Sequence, residues 1–590
     1  MRLPGWLAAS QWLPLYNRQT AAQDGVAAVV VTIMLIPQSL AYAMLAGLPP
    51  QVGLYASILP LVAYALFGSS RTLAVGPVAV ASLMTAAAAS EIAAAGTPEY
   101  IASTIILAAL SGAILILMAL FKLGWIANLL SHPVVSGFIT ASGILIAASQ
   151  LKHLLGVPLS GRNLYELGAS LYHHLPDIHL PTLILGGTAT VFLFWVRRSF
   201  KPLLLKMGLT PFWADLISKA GPVLAVLATT LLAASLRLDQ QGVDIVGDIP
   251  SGLPGFIMPA MDTELWRQLL VPALLISLIG FVESISVAQT LAAKRRQRIN
   301  PDQELMGLGT ANLASAFSGG FPVTGGFSRS VVNFDAGAQT PMAGVFTAVG
   351  IALTALLLTG LFVFLPKATL AATIVVAVLS LVDLATLKHT WHFSRLDFTA
   401  MIITIVGVLG WGVEAGVMAG VISSLALYLW RTNQPHVAEI GLVPGTEHFR
   451  NVQRHAVKVS PRIMSMRIDE SLYFANIRRL EDQIYDAALQ RPQTEHVVLM
   501  GTAINHLDAS AIDGLLSLNR RLADAGITLH FSEIKGPVMD QFKRAALPEQ
   551  LSGKIYLTHY QAMQDLAPEC IKQQDRQDEE DLQPPHTPVS

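Results

Sequence analysis

Polar positions thin out between residues 22 and 430 into short clusters that separate apolar runs. Each run holds about 20 nearly uncharged residues, the length that crosses the hydrocarbon core of a bilayer as a helix. About fourteen such segments can be counted, two of them short and interrupted by glycine and proline. Past residue 431 the pattern changes. "RIMSMRI" (462–468), "HVVLMG" (496–501) and "ITLHFSEI" (527–534) are apolar, β-branched runs and predict strands. "IRRLEDQIYDAALQ" (477–490) has helical spacing, with Leu480, Ile484 and Ala487/Ala488 on one face, and a further helix is predicted around "VMDQFKRAAL". Strands alternating with helices predict a small sheet with helices packed on it.

The pattern divides the chain into five parts: an N-terminal segment (1–21), a transmembrane domain (22–430), a linker (431–454), a soluble α/β domain (455–565) and a polar, proline-ended tail (566–590) expected to be disordered. Composition agrees: 53% of the 590 residues are hydrophobic and 13% charged, about half the charged share of a typical soluble protein. The N-terminus has no basic start followed by an unbroken apolar core and a cleavage site, so the first spanning helix is expected to direct insertion. Basic residues concentrate after even-numbered segments, including Arg71, Lys122, Arg197, Arg198, Lys201, Lys206, Lys219, Lys294–Arg296 and Arg431. Fewer follow odd-numbered ones. The positive-inside rule then places both termini and the soluble domain in the cytoplasm; a multi-pass protein of the cell (inner) membrane is expected. A single cysteine, Cys570, excludes an intrachain disulfide framework and disfavours a cysteine metal site; no cofactor is expected. No GxxxxGK[ST] phosphate loop occurs, which excludes a Walker-type ATP-driven pump within the chain, and nothing points to nucleic acid.

Breakers and charges at membrane depth carry the chemical information, because each is costly there. In "IPQSLAYA" (36–43), Pro37 interrupts the first segment, while Gln38 and Tyr42 are four apart and share a helical face. That pattern reads either as a kink with interhelical hydrogen bonds or as the polar wall of a cavity. "SSRTLAVGPVAVASLM" (69–84) predicts a half-helix beginning at Pro77, and "GGFPVTGGFSRS" (319–330) predicts a second beginning near Thr324–Phe327, with backbone N–H groups free from Gly326 onward. Paired broken segments mark binding sites in secondary transporters, and two facing helix N-termini focus positive potential on one spot. Arg329 adds a full charge beside them; the alternatives are snorkelling to a headgroup or a structural ion pair. Glu283 lies twelve residues into a segment starting at Pro272, roughly 16–18 Å along the helix axis and near mid-membrane. It reads either as a permanent partner of Arg329 or as a titrating proton carrier. In the second reading a bound dianion and an ionised Glu283 repel, so proton and anion favour each other's binding, the logic of symport.

Residues 36–80, "IPQSLAYAMLAGLPPQVGLYASILPLVAYALFGSSRTLAVGPVAV", closely resemble the sulfate permease family, as do "SHPVVSGF" (131–138) and "GGFSRSVVNFDAGAQTPMAG" (325–344). The resemblance implies an α-helical polytopic membrane protein of fourteen segments in two inverted seven-segment repeats. Segments 1–4 and 8–11 would form a core that moves against a gate of segments 5–7 and 12–14, by alternating access and commonly in a homodimer. It implies a small inorganic anion, sulfate foremost and bicarbonate or others as alternatives, contacted by Gln38, Tyr42, Ala79 or its neighbours, Gly326, Phe327, Ser328 and Arg329. Glu283 matches the acid of proton-coupled members; sodium-using relatives carry Asp with hydroxyl partners, whereas Val287 stands one turn later here. An uncoupled channel or exchanger is the competing class. The soluble block resembles the STAS domain of anti-sigma-factor antagonists. Their phosphorylatable serine directly follows an aspartate, but Asp508 is followed here by Ala509 and then Ser510. Packing, or docking of a cytoplasmic partner, is therefore the expected role of this domain.

Overall fold

Where a long helix begins, a short polar side chain often closes it. Asn17, Thr97, Asp262 and Asn300 each accept a backbone N–H from the first turn of the helices Arg18–Leu45, Pro98–Leu120, Thr263–Lys294 and Pro301–Phe317. These elements belong to a computed structural model that describes residues 7–128, 131–210, 214, 217–218, 220–380, 382–569 and 571. Lys219, Cys570 and most of the expected tail lie outside the described residues. The chain divides into two compact units, residues 1–424 and 425–590.

Among the described residues of the membrane block, eight helices are long and apolar enough to cross a membrane. Shorter helices fill the remaining places in the order of segments, including Ala79–Ser90 as third and Phe327–Asp335 as tenth. Helices Pro98–Leu120, Thr263–Lys294, Pro301–Phe317 and Leu59–Phe67 pack into one bundle, joined by Met342–Leu357. A second group forms where His132–Leu155 packs on Leu180–Trp195, Lys367–Leu379 and Arg395–Trp411. The groups meet where Arg18–Leu45 touches Lys367–Leu379 and Gly221–Leu236, and where Ala79–Ser90 touches His132–Leu155.

Three local expectations change. Pro37 does not interrupt the first segment: Arg18–Leu45 is a continuous helix of 28 residues that contains it. Its neighbours hold the helix together across the one hydrogen bond proline removes. The first half-helix begins at Ala79 rather than Pro77, because Val75–Gly76 is drawn into strand pairing with Thr324–Gly325. Segment six does not end before its basic residues; helical backbone continues through a π-turn at Val196–Phe200 to Lys206.

The soluble unit carries a six-stranded sheet in the order Phe449–Asn451, Val437–Leu442, Ile463–Ile468, His496–Met500, Thr528–Ser532, Ile555–Tyr556. The last four run parallel to one another, and helices Ile477–Leu489, Ala509–Asp524 and Gly536–Arg544 supply a core with Leu480, Leu515 and Phe542. The stretch read as a linker, 431–454, is corrected here: it contributes two of the strands, paired antiparallel through Val437↔Ile468 and Leu442↔Phe449. Phe449–Asn451 is a three-residue edge strand, and Val437–Leu442 beside it alternates intermediate and buried positions at its start instead of the near-continuous buried run of Ile463–Ile468. Asp508 caps the Ala509–Asp524 helix through Ala511 N–H (2.8 Å) and accepts Phe474 N–H (2.8 Å), leaving Ala509 and Ser510 exposed.

Candidate functional site

The two broken segments cross at an antiparallel pair of two-residue strands, Val75↔Gly325 and Gly76↔Thr324. Antiparallel pairing is the arrangement that inverted repeats require of equivalent segments. Side chains lock the crossing. Ala74 N–H donates to Ser330 Oγ (2.9 Å), whose hydroxyl donates to Gly326 C=O (2.7 Å), and Gly326 N–H returns to Ala74 C=O (3.1 Å). Asn333 reaches Thr72 C=O (3.0 Å), and Asn312 bonds both the N–H and C=O of Val323 (2.9 Å each). Ser284 Oγ, on the helix that carries Glu283, accepts Gly325 N–H (2.8 Å). The position of the second strand is thereby tied to the turn that holds the acid.

Both half-helices start without a side-chain cap, at Val78 and Gly326. Their first-turn N–H groups are left for whatever occupies the space between them. Arg329 lies in that first turn, only 2% exposed, and its Nη1 and Nη2 have no hydrogen-bond partner. Two glycines make room for the guanidinium. A Cβ on Gly76 would fall 3.0 Å from Nη1, and one on Gly326 would fall 2.9 Å from Nη2.

All eight residues singled out from the sequence, Gln38, Tyr42, Ala79, Glu283, Gly326, Phe327, Ser328 and Arg329, line one cavity of about 270 Å³. Gln38 and Tyr42 do share a face of the uninterrupted first helix. No Glu283–Arg329 ion pair occurs within 4.0 Å among the described residues, so the structural-pair reading of both charges does not describe this arrangement. Ser82 and Thr85 donate back to Val78 and Ala81 carbonyls of their own helix (2.8 and 2.7 Å), and neither lines the cavity.

Sequence reasoning missed the opposite wall, which comes from the gate helices: Ala377, Val378 and Ser380, with Arg197. Arg197 counted only as an orientation marker, since a basic residue near a helix end carries no sign of which way it points. It sits in the π-turn and donates to Val376 C=O (3.1 Å). Such turns often occur at functional positions.

This geometry suits a small anion with several oxygens: N–H groups from two directions and a desolvated guanidinium, with the Glu283 carboxyl group lining the same cavity. Known proteins point the same way. The family model described as "Sulfate permease family" matches residues 22–404, and that of the STAS domain matches 454–562. Probable sulfate transporter 4.2 of Arabidopsis thaliana is 35% identical, with 93% of this chain and 80% of that protein covered. Probable sulfate transporter Rv1739c of Mycobacterium tuberculosis is 32% identical over 96% of this chain and 98% of its own. The solved structure of murine Slc26a9, an anion transporter captured in an inward-facing state, superposes with a TM-score of 0.85 at 22% identity, covering 95% of this chain and 94% of its own. The transmembrane domain of the cyanobacterial bicarbonate transporter BicA matches 70% of this chain and 98% of its own, with a TM-score of 0.58 and 21% identity. These two structures share its fold. On the family match and the relatives above 30% identity across nearly all of its length, this chain belongs to the sulfate permease family.

Proposed function

We propose that this protein is a secondary active transporter that takes up sulfate with protons by alternating access. One observation carries the reading: the Arg329 guanidinium is buried with both terminal nitrogens unpartnered, between two uncapped helix starts. An ionised group held out of water without a counter-charge costs many kcal/mol, so the site calls for an anion to complete it. A tetrahedral dianion accepts from the first-turn N–H groups at both Ala79 and Phe327 while lying against the guanidinium. Gln38, Tyr42 and Ser328 supply polar contacts, and Gly326 and Ala79 admit close approach. The names of the relatives favour sulfate as the anion.

Glu283 supplies the coupling. It faces the same cavity without an ion pair, so its charge is felt by the anion. Ionised, it repels the dianion; protonated, it does not, and anion and proton therefore bind with reciprocal benefit. Residues 22–430 would carry transport in the inner membrane, with both termini cytoplasmic, in a homodimer. The STAS-like domain would serve packing or a cytoplasmic partner. Labelled sulfate uptake into proteoliposomes, with and without an inward proton gradient, tests the proposal. Uptake that follows the gradient is expected. Sulfate uptake indifferent to it overturns the coupling in favour of an exchanger or channel, and preference for bicarbonate overturns the substrate.

A further inference from the structure

A second cavity of about 310 Å³ adjoins the first, sharing Gln38, Ser328, Val332, Arg197, Ala377 and Ser380 with it. Core residues Met34 and Pro37 form one wall. Leu193, Val196, Lys201, Ser218, Pro222, Thr373 and Val376 form the other. The polar groups are unevenly shared out. Arg197 lines both cavities from its π-turn, with Nη1 donating to Val376 C=O. Ser218 Oγ is buried in the second cavity with no hydrogen-bond partner. A buried hydroxyl left unsatisfied is costly, so the group calls for a partner. The hydroxyls of Thr373 and Ser380, by contrast, are engaged with Leu370 and Ala377 carbonyls of their own helix.

We propose that Arg197 and Ser218 form a second oxyanion site on the gate side, through which the transported anion passes between the Arg329 site and solution. The inference rests on the reading of the first cavity as an anion site. Three features support it. A π-turn adds one residue to a helical turn, which shifts Arg197 off the regular register and keeps a Lys201–Arg197 pair on the cavity side. A guanidinium presents donors in a fork, so one nitrogen can stay on the Val376 carbonyl while others meet an oxyanion. Ser218 supplies the O–H donor that a dianion's remaining oxygens need. The two sites also lie on opposite sides of the moving boundary. Arg329 belongs to the core and Arg197 to the gate, so core movement alters the distance between them. In the observed arrangement the anion can step from one cation to the next; withdrawal of the core leaves Arg197 behind.

The test has a structural and a kinetic arm, both on the full-length protein. Crystals soaked in selenate, a tetrahedral dianion with an anomalous signal, should show one peak between the half-helix starts and a second beside Arg197 and Ser218. Arg197→Gln should remove the second peak and keep the first. In sided vesicles, Arg197→Gln should raise the sulfate KM about 5–10-fold on the face onto which the second cavity opens, and leave the opposite face within about twofold. Ser218→Ala should act the same way more weakly, and Arg197→Lys should restore most of the effect. A single selenate peak at Arg329, or KM changes equal on both faces, overturns the proposal. Absence of any peak at Arg329 sinks the transport-site reading instead, so the two failures are distinguishable.

Discussion

At the scale of residues, the site depends on what surrounds one guanidinium. Among the described residues Arg329 has no counter-charge within ion-pair distance, and it lies 2% exposed. Removing a desolvated charge partner costs about 2–5 kcal/mol, so Arg329→Ala should lower sulfate transport by roughly 100-fold or more, read as initial uptake rates. Full uptake by that variant would end its assignment to the anion. Glu283→Gln makes the complementary measurement. It is expected to abolish accumulation driven by a proton gradient while sulfate exchange persists, because a permanently neutral side chain neither repels the anion nor carries a proton. Gly326→Ala places a methyl 2.9 Å from Nη2 and 3.0 Å from Nε, displacing the charge rather than deleting it. Transport should fall about tenfold or more, with thermal stability changed by roughly 1–2 kcal/mol, the range of an ordinary local clash. Equal loss of stability and transport would make the glycine structural. Glu283, Arg329 and Gly326 were legible in the sequence because a charge or a helix break at membrane depth needs a reason, and Gln38 and Tyr42 by their shared helical face; Ala79, Phe327 and Ser328 entered through the resemblance to the sulfate permease family. Arg197 was not legible, for it lies where any cytoplasm-facing basic residue also lies.

At the scale of elements, two half-helices without caps are held by a strand pair and by bonds that run between the repeats. Ser330 is the hinge pin: it accepts Ala74 N–H and donates to Gly326 C=O. Ser330→Ala leaves a buried N–H without an acceptor and should destabilise the protein by about 1–3 kcal/mol, visible as a lower Tm. Anion affinity should fall with it, since the two helix starts lose their fixed spacing; a lower Tm with unchanged KM would show that the spacing is set elsewhere. The sequence announced both breaks but misplaced the first helix start by two residues. Glycine and proline say that a helix cannot continue, yet pairing with Thr324–Gly325, hundreds of residues away, decides where it resumes. Pro37 teaches the converse. A breaker at a buried position of a well-packed helix is tolerated, because neighbours offset the single missing bond.

At the scale of the whole molecule, the soluble unit has its own core and its own pH response. His559 is fully buried, with Nδ1 on Ser532 Oγ (2.7 Å) and Nε2 on Ser465 Oγ (2.9 Å). Burial lowers its pKa to about 4, against roughly 6.5 in an unfolded chain. The folded state favours the neutral ring, so stability is full above pH 6.5 and declines as pH falls toward 4. The difference corresponds to about 3 kcal/mol for this residue. Thermal melts of a fragment beginning at residue 433 should show that decline, and His559→Gln should flatten it. If the slope is unchanged in His559→Gln, other groups carry the response. The fragment has to begin before residue 437, since the sheet includes Val437–Leu442.

What the sequence determined by itself was the class of protein: many apolar spans, two interrupted at matching places, a cation and an acid among them, and a separate α/β unit. These follow from local physics, because lipid forbids unsatisfied backbone and bare charge wherever a chain crosses it. Only the tertiary structure decided that all eight candidates share one cavity and that Glu283 and Arg329 are not paired. It alone brought Arg197 and Ser218 to the next cavity and drew 437–451 into the sheet. Each of these depends on contacts between segments far apart in the chain, whose register no local pattern encodes.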